Sequence, residues 1–245
     1  MEEIIMAGII KEALQYIVES QQEKIIESGG HRYTDAELAR MDNELRATKL
    51  EMTTLSGLVS YIKAEIDTMK DKMIVHVVSP TEVQLISMLN SDRKRECLVK
   101  VNADIPAFTY GKFMDTETFV IGIRSKFIQN EGAESILRFA GTVENGTVAK
   151  YSDDGISQFA TVKKGITGKV TELVPNPVKL RPYRTFTEVR QPESEFVFRM
   201  KDYNDSVVCA IFEADGGAWK RQAMKNIKEH LEVELANFKQ FTIIS

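Results

Sequence analysis

Apolar residues return every fourth position at Trp219, Ala223, Ile227, Leu231 and Leu235, directly after an alternating run, Val207-Val208-Cys209-Ala210-Ile211-Phe212. The change from a period of two to a period near 3.6 predicts a strand, a turn at Glu213-Ala214-Asp215-Gly216-Gly217, and a long amphipathic helix ending near Asn237. Asp215 is the expected N-cap, because a carboxylate there accepts bonds from the free amides of the first helical turn; Gly216, Gly217 and Trp219 complete this structural turn. Phe241 to Ile244 then reads as a last strand returning to the sheet.

Upstream, Ile5, Ile9, Ile10, Leu14, Ile17 and Val18 form an apolar stripe on a helix over residues 1–22, to be covered either by its own domain or by another copy of the chain. Ser28-Gly29-Gly30-His31 separates two short β-like runs, which predicts a small hairpin. Residues 35–49 are highly charged, so the chain divides into an N-terminal appendage at 1–50 and a body at 51–245. In the body, Leu55, Leu58, Val59, Ile62 and Ile66 predict a helix ending near Asp67. Residues 73–78, 82–88 and 96–101 predict an antiparallel meander. Asp115 or Thr116 caps a further helix with Phe119, Ile123 and Phe127 on one face, and no pattern stands out over residues 133–140.

The second half turns β-rich. Asn145-Gly146 is the strongest short hairpin signal, with Asp153-Asp154-Gly155 a second turn and Gly165 to Gly168 a loop. Pro175, Pro177 and Pro182 argue for edge strands or extended crossovers, since proline cannot donate to a ladder. Phe196, Phe198 and Met200 share one strand face, with Glu195, Val197 and Arg199 on the other. Helices and antiparallel runs in blocks imply an α+β fold.

Composition narrows the chemistry. Net charge is −4, so nucleic-acid binding requires a local basic patch. Three histidines and no C-x-x-C leave too few ligands for zinc, and no metal or cofactor is expected. Cys97 and Cys209 read as buried thiols in a reducing compartment. Met1-Glu2-Glu3 is acidic where a secretory signal is basic, and no apolar run reaches the roughly 20 residues of a membrane span, so a cytoplasmic protein without membrane contact is expected.

Catalytic motifs are missing: His31, His76 and His230 have no neighbouring nucleophile signature. Gly216-Gly217 at a helix start suits an anion, yet Glu213 and Asp215 put negative charge there, which favours a plain cap. Asp153 and Asp154 read as a turn before a cation site. The cluster of most interest is Lys179, Arg181, Tyr183, Arg184, Phe186 and Arg199, with Lys201 and Arg190 nearby. Guanidinium forks suit phosphates, and Tyr183, Phe186 and Phe198 suit base stacking; alternatively the same residues form a solvated face paired with Glu188, Glu193 and Glu195.

The runs Val174-Pro175-Asn176-Pro177-Val178, Pro182-Tyr183-Arg184-Thr185-Phe186, Gln191-Pro192-Glu193-Ser194 with Phe198-Arg199, and Phe212 to Trp219, together with Thr54 to Lys63, resemble the YfdQ-like family of phage and prophage proteins, an uncharacterised family. The resemblance spans residue 50 to the end. It implies an early, non-virion phage gene and brings no catalytic residues with it. The expectation is a non-enzymatic, homo-oligomeric accessory protein of the host cytoplasm that sequesters a host protein or a nucleotide-like anion. An accessory of phage DNA recombination or replication that touches single-stranded DNA through Arg184 and Arg199 is the alternative, and a virion component the second.

Overall fold

The computed structural model describes residues 13–16, 25–28, 31–34, 46–67, 69, 71–90, 93–144, 147–153, 158–164, 168–173, 176–204 and 206–245, with backbone alone for 25–34 and 142–173. The chain divides into two compact units, 1–46 and 47–245. In the first, residues 13–16 are helical (α1), with Leu14 and Tyr16 exposed, and β1 (Ile25–Ser28) pairs antiparallel with β2 (His31–Thr34). The rest of the apolar stripe expected over 1–22 lies outside the described residues.

The second unit runs β3 (Leu50–Met52), α2 (Leu55–Lys63), β4 (Met73–Ser79), β5 (Glu82–Ser87), β6 (Cys97–Asn102), β7 (Met114–Asp115), α3 (Thr116–Lys126), β8 (Phe127–Ile128) and α4 (Glu131–Glu144). It continues through β9 (Thr147–Asp153), β10 (Gln158–Lys164), β11 (Gly168–Leu173), β12 (Val178–Pro182), β13 (Ser194–Tyr203), β14 (Ser206–Glu213), α5 (Ala218–Glu234) and β15 (Phe241–Ile244). The architecture is α+β, built on two five-stranded sheets ordered β15-β4-β5-β6-β3 and β7-β14-β13-β12-β8, with β9 to β11 forming a separate antiparallel trio.

The first sheet is mixed: the expected meander β4-β5-β6 is antiparallel, while β15 and β3 add in parallel at its two edges. Alternation sends Met73, Val75, Val77, Val83, Leu85, Val99 and Val101 to one face, where α2 and α5 cover them through Leu58, Ile62, Ile227 and Leu231. Thr54 caps α2, its hydroxyl accepting from Gly57 N at 3.1 Å. The helix stops at Lys63 and not near Asp67, because Glu65 takes a left-handed backbone (φ 49°) and the chain turns to place the Asp67 carboxylate on the Tyr61 hydroxyl.

The second sheet is antiparallel throughout, and its inner face buries Val178, Leu180, Phe196, Phe198, Met200, Cys209 and Ile211 under α3 and α4. Phe119 of α3 stacks on Phe198 at 5.4 Å, and Phe139 of α4 meets the same ring edge-on at 6.1 Å. Asp115 caps α3 by accepting from Thr118 N at 2.8 Å. Where no pattern stood out, over 133–140, the chain forms α4. Asn130 starts it, accepting from Ala133 N at 2.9 Å and donating to Lys179 O at 3.1 Å. Gly132 is required at that contact, since a Cβ there would lie 2.1 Å from the Lys179 carbonyl.

The Asn145-Gly146 hairpin signal lies outside the described residues, as does the Asp154-Gly155 turn, whose flanking strands β9 and β10 pair antiparallel. Two further expectations are corrected. β12 is not an edge strand: it pairs with both β13 and β8, and Pro182 is tolerated because it closes the strand, the next amide, Tyr183 N, donating to Lys126 O at 3.0 Å. Finally, β15 does not return to the sheet of β14. It joins β4 of the mixed sheet, so α5 leaves one sheet and packs on the other.

Leu231→Ala, at a fully buried position, should lower the unfolding free energy by about 2–5 kcal/mol. Val233→Ala on the same helix, 75% exposed, should change it by less than about 0.5 kcal/mol. Urea titration of both variants measures the difference.

Candidate functional site

The pleat of the antiparallel sheet divides the candidate residues. On β12, Val178, Leu180 and Pro182 are buried while Lys179 and Arg181 alternate with them, and on β13 Val197, Arg199 and Lys201 alternate with buried Phe196, Phe198 and Met200. Lys179, Arg181 and Arg199 therefore share the outer face of the sheet. Lys179 is exposed. Arg181 is half-buried with its Nε 3.0 Å from Glu193, and Arg199 is half-buried with one guanidinium nitrogen donating to Phe198 O at 3.3 Å.

Arg184 and Phe186 are not on that face. After β12 the chain leaves the sheet, and Phe186 and Val189 enter the core of the mixed sheet. Gln191, itself buried, holds this excursion: its carbonyl accepts from Arg184 N at 3.1 Å and Thr185 N at 3.3 Å, and its amide donates to Phe186 O at 2.8 Å. The Arg184 side chain, 5% exposed, points between rings, 4.0 Å from Trp219 and 5.5 Å from Phe196. It pairs with Glu213 at 2.6 Å and donates to Ser194 Oγ. Burial draws its pKa down, against the opposing pull of Glu213 and Asp215, and burial likewise pushes the nearby Tyr110 hydroxyl up to about 12. Tyr183 is half-buried beside this excursion, and Phe198 lies in the core, so neither Phe186 nor Phe198 is placed to stack on a ligand.

Asp215 caps α5 from a position earlier than expected. Gly217, with φ 81°, occupies the cap position and Gly216, with φ 61°, precedes it; Asp215 reaches over both to accept from Gly217 N at 3.0 Å and Trp219 N at 3.2 Å. Its carboxylate also accepts from Ser194 Oγ at 2.8 Å. Burial alone would raise its pKa, but the bonds from Ser194, Gly217 and Trp219 and the charge of Arg184 outweigh it, and the net shift is downward. The cap amide and one first-turn amide are thereby committed to a carboxylate. The groove of about 700 Å³ that gathers Lys220, Arg221 and Lys225 beside this turn thus faces a helix start already neutralised, and Lys225 is paired with Glu229 at 3.6 Å.

A second groove, of about 570 Å³, runs between α5 and the 188–193 segment. It mixes Glu188, Glu193 and Glu229 with Arg190 and His230, and Asn226 spans it to Arg190 O at 2.7 Å. Its acidic excess disfavours an anion. Among the described residues, no three His, Cys, Asp or Glu side chains group closely enough to hold a metal ion, and no helix is long and apolar enough to cross a membrane.

The outer face of the antiparallel sheet holds what sequence reasoning missed. Lys201 lies 4.2 Å from the Phe113 ring and 5.9 Å from that of Tyr203, and Phe113 meets Phe212 at 6.2 Å. Tyr203 is 60% exposed and Phe113 37%. Strand alternation identifies Phe212 and Tyr203 as outward-facing; Phe113 precedes a two-residue strand too short to show a period. No family model, curated protein or solved structure matches the chain, so the reading of this face rests on its own geometry.

The cap gives a pH-dependent test. Asp215 is more acidic folded than unfolded, so its stabilisation is complete above the ordinary value of 3.8 and is lost as pH falls through the lower folded value. Asp215→Ala should cost about 0.5–2 kcal/mol at pH 7, and the gap in melting temperature from the wild type should narrow below pH 3.8. Thermal melts from pH 7 to pH 2.5 check the sign; a gap that widens on acidification contradicts the assignment.

Proposed function

We propose that the protein acts by binding and not by catalysis, and that it holds a nucleotide-like anion on the outer face of the antiparallel sheet. The observation that carries this reading is Lys201 lying over Phe113 and Tyr203, next to Arg199 on the same face. Cations attract a phosphate, and accessible aromatic faces stack a base; the two together on one surface suit a ligand that contains both. Buried Arg184 takes no part except as a support. The resemblance to YfdQ-like proteins supports a setting for this activity: an early phage accessory protein that captures such a ligand in the host cytoplasm.

A ligand that prefers the folded state raises the melting temperature, by the equivalent of about 2.7 kcal/mol at 100 times its Kd. Thermal shift against nucleoside monophosphates, cyclic dinucleotides and short oligonucleotides at low salt should therefore reveal at least one stabilising class. Arg199→Ala combined with Lys201→Ala should remove the shift while leaving the ligand-free melt cooperative. Absence of any shift, or one that the double variant retains in full, would refute the proposal.

A further inference from the structure

We infer that the ligand of this face is a single-stranded polynucleotide; the inference rests on the nucleotide-binding reading above and specifies its ligand class. The ladder registers give the layout. Lys179 lies opposite Glu195, and Arg199 and Lys201 follow along β13, so three cations form a row parallel to the strand. From the level of residue 195 to that of residue 201 the row extends about 20 Å at ~3.3 Å per residue. Arg181 extends the row one level further but is already paired with Glu193.

The aromatic rings lie largely to one side of this row. Phe212 stands opposite Val197 on β14, Phe113 contacts both Phe212 and Lys201 from the β7 side, and Tyr203 closes the row beyond Lys201. A backbone following the cations would lay its bases over the rings. This is the layout of an electrostatic track with a stacking platform at its Lys201 end.

Shape separates a polymer from a mononucleotide. Small-molecule sites are concave and enclose most of their ligand. The two grooves described above lie elsewhere in the fold, and a third, of about 370 Å³, reaches the face at Lys179 and Glu195; none of the three is lined by Phe113, Arg199, Lys201, Tyr203 or Phe212. A sheet face traversed by a row of about 20 Å spans several nucleotides of an extended single strand, with a phosphate near each of the three cations. A lone nucleotide reaches only the Arg199 and Lys201 end of the row and leaves Lys179 uncontacted. Base stacking on the rings also requires unpaired bases, which excludes a duplex as the preferred ligand.

Fluorescence anisotropy of the full chain with labelled dT3, dT6, dT12, rU12 and a 12-base-pair duplex, with unlabelled dTMP as competitor, tests the inference. Affinity should rise from dT3 to dT6 and then level off, with dT12 and rU12 distinguishing DNA from RNA and the duplex binding at least tenfold more weakly. Three phosphate contacts give a slope of log K against log salt near −2, falling to about −0.7 in the double variant Arg199→Ala/Lys201→Ala. Tyr203→Ala, at an exposed ring, should weaken dT12 about tenfold without altering the melting temperature of the free protein. If dTMP competes as well as dT12, the nucleotide-binding reading survives and this inference fails. If no nucleotide of any length binds, both fail, and dT12 binding that is indifferent to Tyr203→Ala and the double variant places the strand elsewhere and overturns it.

Discussion

Arg184 is the contact on which the assembly of the body depends. Its guanidinium stands 4.0 Å from the Trp219 ring at the start of α5 and 5.5 Å from Phe196 of β13, while its charge meets Glu213 of β14 and the Ser194 hydroxyl. Ser194 passes the connection to Asp215, which holds the first amides of α5. One side chain thus ties the segment that enters the mixed-sheet core to the strands of the antiparallel sheet and to the helix that covers the mixed sheet. Removing one partner of a buried charge pair commonly costs about 3–5 kcal/mol. Here Glu213 is 40% solvent-exposed along its side chain, so water recovers part of that cost. The stacking on Trp219 has no such substitute, since lysine lacks the planar group that covers an indole face.

That tie explains why α5 serves a sheet other than the one it leaves. Gly216 and Gly217 turn the chain through left-handed backbone, Asp215 fixes the direction of exit, and the stripe Ala223, Ile227 and Leu231 lands on β4 and its neighbours. β15 then completes the mixed sheet by parallel pairing with β4. The antiparallel sheet, packed on its inner face by α3 and α4, keeps an outer face whose Lys201 and Tyr203 remain open to solvent. The same pleat that buries Phe196, Phe198 and Met200 therefore projects Arg199 and Lys201 outward.

Local pattern reached the strands that alternate and the helices that carry side-chain caps. β4 to β6, the Asp115 cap and the two faces of β13 follow from periods of two and 3.6 and from the chemistry of single residues. α4 did not announce itself because two of the buried apolar positions among its described residues, Ala133 and Ala140, carry little hydropathy, and its Gly132 answers to the neighbouring β12 carbonyl. The partner of β15 is a long-range choice that its own residues do not encode. In the candidate site, Lys179, Arg181 and Arg199 were placed by alternation. Arg184 and Phe186 were not, because they lie just past the strand, where burial is decided by Trp219 and by the core of the other sheet.

The overall charge of −4 and a basic face are compatible because electrostatics in salt solution are local. At physiological ionic strength a charge is screened beyond about 8 Å, so acidic residues on the far side of the fold contribute little to an anion resting on Arg199 and Lys201. Close by, Glu195 opposite Lys179 and Glu193 beside Arg181 cancel part of the row, leaving its strongest positive character at the Arg199 and Lys201 end. Tyr203 and Phe113 stand at that same end, so attraction and stacking coincide there and dilute toward β12. With few cations to release counterions, a larger share of affinity must come from the rings, whose contribution salt does not screen. A protein built in this way exchanges long-range capture for contact selectivity, favouring ligands with accessible bases over polyanions in general.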